Sequence, residues 1–381
     1  MDREKTRPRR LGVAIPSLLV IATLASVLFQ AWIEMGLREC RKQDAAVEAL
    51  KGLGGSVKYD SGSYTTIRGP RWRSRYFLHA TPWWNSRRWL AVVTGREHDF
   101  ATVDEVYFPA MADADLEYFC RAFASARRVE DFQPINDGQL RFLARMRDLD
   151  VLEIIGGDGK TVIAGEGFVH LVGGLRQLRI LSLRGVYLTA PAKKALGKLE
   201  SLVVLDIYDG ADDETVANLT NLRHLQILGL IGSNITNGGL AHLRKLRSLY
   251  CLRLQDTRIG DDGLRHLAGL NIIDLRLART NVTDRGIAYL AAMPKLFQLD
   301  LQDTAVTDAA IPDLEKLEAL RNLVLCGTQI SASGCRRLHA ALPKLSLQMP
   351  DGRFLPAEET KRKAKETRPA TPRPQLEAGK R

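Results

Sequence analysis

The feature that most constrains this chain is an L-x-x-L-x-L unit that returns every 22 to 24 residues through its second half. Clear copies begin at Leu178 (LRILSL), Leu202 (LVVLDI), Leu225 (LQILGL), Leu249 (LYCLRL), Ile272 (IIDLRL), Leu296 (LFQLDL) and Leu320 (LRNLVL). Weaker copies extend the array at Val103 (VDEVYF), Leu149 (LDVLEI) and Leu342 (LPKLSL), with a degenerate unit near Ala126. The step from Leu149 to Leu178 is longer than the rest, and GGDGKTVIAGEG supplies the extra residues. Each unit alternates apolar and variable residues, then gives a polar turn and a helical pattern, as in TRIGDDGLRHLAGL, TNVTDRGIAYLAAM and TAVTDAAIPDLEKL. Period two thus changes to helical period inside every repeat.

One such strand-turn-helix unit cannot bury its leucines alone, so the units must stack. The expected fold is an α/β solenoid with strands in one parallel sheet and helices on the opposite face. Strands sit about 4.8 Å apart and helices need roughly 10 Å, so the sheet should be the concave side of a curved horseshoe. Thr283-Asp284, Thr307-Asp308 and Asp261-Asp262 are placed to cap the helices that follow them.

The length of 381 residues fits an array that grows in one direction better than a single compact core. An apolar content of 45% with 26% charged residues excludes a mostly disordered chain. The net charge of +11 is not a nucleic-acid signature, because much of it sits at the chain ends; residues 356–381 alone hold eight Lys/Arg against four acids. Residues 350–381 read as a disordered basic tail rich in Pro, Lys and Arg.

From Leu11 to Ile33 run 23 residues without a charge, enough to span a hydrocarbon core of about 30 Å. Arg3, Lys5, Arg7, Arg9 and Arg10 precede this span, while the fifteen residues after it carry only Arg38, Arg41 and Lys42. That bias predicts a single-pass inner-membrane protein with residues 1–10 in the cytoplasm and the repeats extracytoplasmic, in the periplasm. A cleaved signal peptide is the competing reading, against which stand the length of the run and the lack of an A-x-A-like site. Beyond the span, EMGLRECRKQDAAVEALKGLGG reads as a helix ending at Gly54-Gly55, followed by a strand at SVKYD. Within the juxtamembrane part, residues 34–100, the Trp/Arg-rich stretch 61–100 has no regular pattern; it is either an interfacial belt or a seal on the open end of the repeats.

These residues resemble the leucine-rich-repeat superfamily, in the bacterial subtype whose unit reads approximately LxxLxLxxTxITDxGLxxLxxL. The match covers about residues 101–349, some 10 to 11 units, and is specific over Leu225–Gly334. Where many members place Asn after the strand, this chain has Thr257, Thr280, Thr304 and Thr328, with Ser233 one repeat earlier, and a hydroxyl there can still bond the loop backbone. The anchor, then AAVEALKGLGGSVKYD, RRWL, TVDEVYF and DADLEYF, is similar to the leader of membrane-anchored repeat proteins of planctomycete-type bacteria. The resemblance implies a binding role for a protein or peptide and names no partner.

Outward positions on the sheet follow from the unit: Ser182, Arg184, Asp206, Tyr208, Arg253, Gln255, Asp274, Arg276, Gln298, Asp300 and Gln302. Their mixed polarity suits a protein partner held by ion pairs and hydrogen bonds around anchors such as Tyr208. A structural envelope protein, acting by self-association or by polymer or lipid contact through the tail, is the alternative. Recruitment of a ubiquitin ligase would need an adaptor domain that residues 34–100 do not resemble.

No pattern argues for catalysis or a cofactor. GGDGKT (156–161) fails as a phosphate loop because Ile154 stands where glycine is needed. His242 and His266 occupy equivalent positions in successive repeats, with Tyr289 next in line, but lack further metal ligands. DGADDE (209–214) departs from a calcium loop and fits helix capping. No Gly-x-Ser-x-Gly turn is present. Cys40, Cys120, Cys251, Cys326 and Cys335 form no CxxC pair and read as free thiols, with a Cys326–Cys335 bridge as the other option.

Overall fold

The computed structural model describes residues 44–59, 103–108, 111–133, 136–156 and 162–357. The expected anchor at 11–33, the Trp/Arg-rich stretch, the glycine-rich loop after Gly156 and the tail beyond 357 lie outside these. Among the described residues no helix is long and apolar enough to cross a membrane. The chain divides into two compact units, one ending at Ala126 and one beginning at Arg127.

In the first unit a helix over 44–52 (α1) is followed by Gly54 in the left-handed region, φ 87°, and by β1 (Ser56–Tyr59). Strand β1 pairs antiparallel with β2 (Val103–Tyr107), placing Val57 opposite Val106. Helix α2 (Asp113–Ala122) buries Leu116, Phe119 and Cys120, and the Phe119 ring stacks on Phe123.

The second unit is the repeat array. Its strands are β3 (Arg128–Phe132), β4 (Val151–Ile155), β6 (Ile180–Arg184), β8 (Val204–Tyr208), β9 (Ile227–Ile231), β10 (Cys251–Arg253), β11 (Asp274–Arg276), β12 (Gln298–Asp300), β13 (Asn322–Val324) and β14 (Ser346–Gln348). They line up in chain order, each parallel to the next. The unit leucines point into the core: Leu202, Leu205 and Ile207 are wholly buried, as are Leu296, Leu299 and Leu301. Each such side chain contributes about 1.5–3 kcal/mol. The oversized repeat accommodates its extra residues as β5 (Val162–Ala164), which pairs with β7 (Val186–Leu188) in a small sheet of its own.

Behind the sheet lie α3 (Asp137–Leu143), α4 (Glu166–Gly174), α5 (Ala190–Leu196), α6 (Asp213–Asn218), α7 (Asn237–Leu240), α8 (Asp261–Leu264), α9 (Asp284–Leu290), α10 (Ile311–Leu314) and α11 (Ala332–Ala341). Helices α7, α8 and α10 have four residues each and adjoin 3₁₀ turns. A unit this short spends most of its length on the strand and two turns, so a long helix does not fit.

The last repeat corrects the sequence register. LPKLSL aligns Leu342 with Leu320, but the sheet pairs Leu347 with Leu323 and Ser346 with Asn322. Leu345, not Leu342, takes the place of Leu320, and the unit is one residue short. The slip arises because leucines also recur at the helix exit, giving two overlapping matches to one motif. After β14 the chain turns back at Gly352, and β15 (Phe354–Leu355) pairs antiparallel with β14. The first residues of the tail expected to be disordered thus cover the terminal edge of the sheet through β15, and Pro356 beyond it places its carbonyl 3.1 Å from His339 Nε2 of α11.

The acidic run 209–214 caps α6. Asp212 Oδ1 accepts the Thr215 amide at 2.9 Å, Thr215 closes the capping box, and Lys193 Nζ donates to Asp212 and Glu214 at 2.6 and 2.8 Å. Burial alone pushes the Asp212 carboxyl up, but the Lys193 and Thr215 hydrogen bonds outweigh it and hold it below the usual carboxylate value. A depressed folded value stabilises above the unfolded pKa and is lost as pH falls through the folded one. Asp212→Asn is therefore expected to lower stability by ~1 kcal/mol at pH 7, after screening of a half-exposed pair, with the difference from wild type closing toward pH 3 in thermal melts.

Candidate functional site

Strand pairing sorts the outward residues into rows that run across the rungs. One row reads Ser182, Asp206, Gly229, Arg253, Arg276, Asp300 and Val324. A second, toward the strand starts, reads Ile180, Val204, Ile227, Cys251, Asp274, Gln298 and Asn322. The positions expected from the unit are polar, whereas the second row is apolar over β6, β8 and β9. That signal was available, since the residue after each L-x could be compared from unit to unit.

The structure brings four predicted residues into one ionic cluster. Arg253 Nη1 donates to both carboxylate oxygens of Asp206 at 3.2 Å, with side chains only 12% and 15% exposed. These residues are two rungs apart, and Gly229 lies between them. A Cβ on Gly229 would run into Asp206 Oδ1, so glycine is what lets the pair close across a rung. Arg276 donates to Asp274 from Nε and Nη2 at 3.3 and 3.1 Å, and the Cys251 thiol lies 3.5 Å from Asp274 Oδ2. Burial, then Asp274, pushes the Cys251 thiol up to about 12, so it stays protonated and unreactive at neutral pH. Burial also raises the Asp206 carboxyl against the pull of Arg253, and the Asp300 carboxyl against the Gln302 amide and Arg276.

Arg184 and Tyr208 sit together at the end of β6 and β8, paired in register. The guanidinium stacks over the phenol ring at 4.7 Å, and Arg184 is exposed. Gln298 and Asp300 lie further along, and Asp300 Oδ1 accepts the Gln302 amide at 3.0 Å. Gln255 Oε1 is buried with no hydrogen-bond partner among the described residues. The face thus divides into a self-neutralising, largely buried cluster and a stacked pair of an exposed Arg184 on a half-buried Tyr208.

Two groups went unseen in the sequence. Asp213, Asp261 and Asp284, read as caps of their own helices, instead reach forward one repeat. Asp261 Oδ1 accepts the Thr283 amide at 2.8 Å and Oδ2 its hydroxyl at 2.7 Å; Asp213 holds Thr236 and Asp284 holds Thr307 in the same way. Asp308 accepts the Ser331 amide, and Asn237 that of Gly260. The consensus glycine follows from this: a Cβ at Gly239, Gly286 or Gly334 would strike the preceding repeat's carboxylate. Of the predicted caps, Thr307 does accept from Ala309, whereas Thr283 does not cap α9. The hydroxyls of Thr257, Thr280, Thr304 and Thr328 each donate to a strand-end carbonyl at 2.6–2.7 Å, the loop bond expected of them. The second group is a set of exposed apolar side chains at the strand starts, Tyr250, Ile273 and Phe297.

Cys326 and Cys335 are free thiols, as are Cys120 and Cys251. Among the described residues no group of three or more His, Cys, Asp or Glu could hold a metal ion. His266 is held below the usual imidazole value by burial and by Arg244 and Arg265.

Comparison with known proteins adds two solved structures. An internalin (inlF) from Listeria monocytogenes shares 15% identity and covers 68% of this chain and 86% of its own, with a TM-score of 0.43. A second internalin of that organism shares 23% identity and covers 64% of this chain and 92% of its own, with a TM-score of 0.38. At these scores the likeness carries no functional argument, and the repeat architecture rests on the strand order above. No protein-family model matches the chain, and no curated protein is similar to it.

Proposed function

We propose that this chain is a protein-interaction module whose repeats hold a protein or peptide on the outward face of the sheet. The observation that carries the reading is the Arg184–Tyr208 pair, an exposed guanidinium pre-stacked on a half-buried ring, on a sheet where Asp206 with Arg253 and Asp274 with Arg276 already neutralise each other. Such pre-ordered aromatic and guanidinium anchors lose little freedom on binding and commonly dominate interfaces. Residues 11–33 tether the module to the inner membrane and the repeats stand outside the cytoplasm, as the Lys/Arg bias supports.

Arg184→Ala/Tyr208→Ala tests the face without touching the buried cluster. In pull-downs of the full chain from detergent-solubilised native membranes, the variant is expected to lose partner capture by ten-fold or more, with its thermal melt unchanged. Capture at the wild-type level would remove the face from the proposal. Protease digestion of intact spheroplasts tests the topology, and repeats that stay protected there would place them in the cytoplasm.

A further inference from the structure

Immediately before each strand lies a position that neither fills the core nor belongs to the outward rows. Across seven consecutive rungs it is Arg179, Val203, Gln226, Tyr250, Ile273, Phe297 and Arg321, and backbone bonds tie each to the next: Ile273 N–H donates to Tyr250 O at 2.7 Å, Phe297 to Ile273 at 2.9 Å and Arg321 to Phe297 at 2.8 Å. Tyr250, Ile273 and Phe297 are 36%, 42% and 45% exposed. Packing has no use for them, because Leu249, Ile272 and Leu296 before them, and Leu252, Leu275 and Leu299 after, already fill the core. Single exposed apolar residues are ordinary. Three in register at rung spacing form a contiguous stripe, and such stripes mark contact surfaces.

The surroundings of the stripe define what fits it. Arg321 follows Phe297 directly in the row, Arg179 stands at its far end beyond Gln226 and Val203, and the turns entering the strands carry Arg223, Arg247, Lys295 and Lys344. Among the described residues none of these cations is in an ion pair; Arg321 Nη1 donates to the Glu318 and Leu320 carbonyls and Arg247 Nη1 to the Gly269 carbonyl. The acids of this edge are Glu200 and Glu318. An apolar stripe in a rim of uncompensated cations calls for apolar side chains flanked by carboxylates. The two interspersed glutamates make the rim mixed in sign, which suits a discrete partner better than a uniformly anionic membrane.

We propose that the strand-entry edge around Tyr250, Ile273 and Phe297 is a second docking surface, and that it takes an acidic protein segment bearing apolar side chains. The inference rests on the reading of the repeats as a protein-binding module and assigns a separate surface to it. The test is fluorescence anisotropy with the purified full chain in detergent and a labelled peptide of alternating Glu with Leu and Phe, against the same peptide with Lys for Glu. The Glu peptide is expected to bind, more weakly as salt rises, and the Lys peptide to fail. Tyr250→Ser/Ile273→Ser/Phe297→Ser should weaken binding ten-fold or more at an unchanged melting temperature, with Phe297→Ser alone as the milder variant should the triple one misfold. No Glu-peptide binding, equal binding of the Lys peptide, unaltered binding by the variants, or a stripe that responds only to phosphatidylglycerol vesicles or to self-association in sedimentation would each overturn the assignment. Peptide binding that is lost in Arg184→Ala/Tyr208→Ala and kept in the stripe variants would overturn this edge while leaving the proposed function standing.

Discussion

Replacing Arg253 with alanine is expected to lower stability by about 3–5 kcal/mol, because it leaves the Asp206 carboxylate facing the sheet with its bridging guanidinium gone. In an array of this size that corresponds to a fall in melting temperature of roughly 10 °C. The pH dependence separates this cause from simple loss of packing. Burial already holds the Asp206 carboxyl above its usual value, and removing Arg253 raises it further. A group with a raised folded pKa destabilises above that value, and the penalty fades as pH falls through it. Thermal melts of Arg253→Ala and wild type should therefore converge between pH 7 and pH 4. The double variant Asp206→Leu/Arg253→Met, which removes both charges, should regain most of the loss. A penalty that is equal at both pH values would show that packing, not the stranded carboxylate, is responsible. The same reasoning makes Arg253 a poor probe of binding, since its loss disturbs the sheet itself.

The second large effect is expected at Asp137. Its carboxylate accepts three backbone amides of the next repeat, from Gly165 at 2.8 Å, Gly167 at 2.8 Å and Phe168 at 3.2 Å. Asp137→Ala strands all three donors at the start of α4, where no intrahelical acceptor exists for them. An unmet buried donor costs ~1–3 kcal/mol, and the losses overlap, so about 3 kcal/mol is expected in chemical denaturation. Asp137→Asn keeps one acceptor oxygen and should lose less than half as much. Hydrogen exchange gives the local signature: the amides of Gly165, Gly167 and Phe168 should lose protection in the alanine variant while those of β12 and β13 keep theirs. Uniform loss along the array would mean that the repeats unfold as one unit and that the contact is not local.

The strand positions were legible in the sequence because each follows from a single periodic requirement: a leucine that misses the core is expensive. The helix ending at Gly54 and the strand at Ser56–Tyr59 were legible for a similar reason, since glycine at a left-handed position stops a helix. The threonine hydroxyls were legible from their place after the strand. Register in the last repeat was not, because Leu342, Leu345 and Leu347 satisfy the motif in two ways and only pairing with β13 chooses between them. The roles of Asp261 and Asp284 were misread because an acid at a helix start caps that helix in a single repeat, and only the stacked neighbour reveals the closer donors on Thr283 and Thr307. Eleven outward residues could be named from the unit, yet their division into a buried ionic cluster and a stacked Arg184–Tyr208 pair depends on Gly229, whose missing side chain leaves no mark in a hydropathy pattern. Tyr250, Ile273 and Phe297 escaped notice because the motif treats the residue after its first leucine as free to vary.

The forward reach of the repeat carboxylates gives the stack a direction. Asp213, Asp261, Asp284 and Asp308 each serve the repeat that follows, never the one before. A rung removed from the carboxyl-terminal side exposes an acid that water solvates at little cost, while a rung removed from the amino-terminal side exposes amides and hydroxyls whose acceptors have gone. The two ends of a truncated array are therefore unequal. Because a chain leaves the ribosome amino terminus first, every new rung meets an acceptor already in place, and the order of synthesis matches the order in which the repeats can be completed.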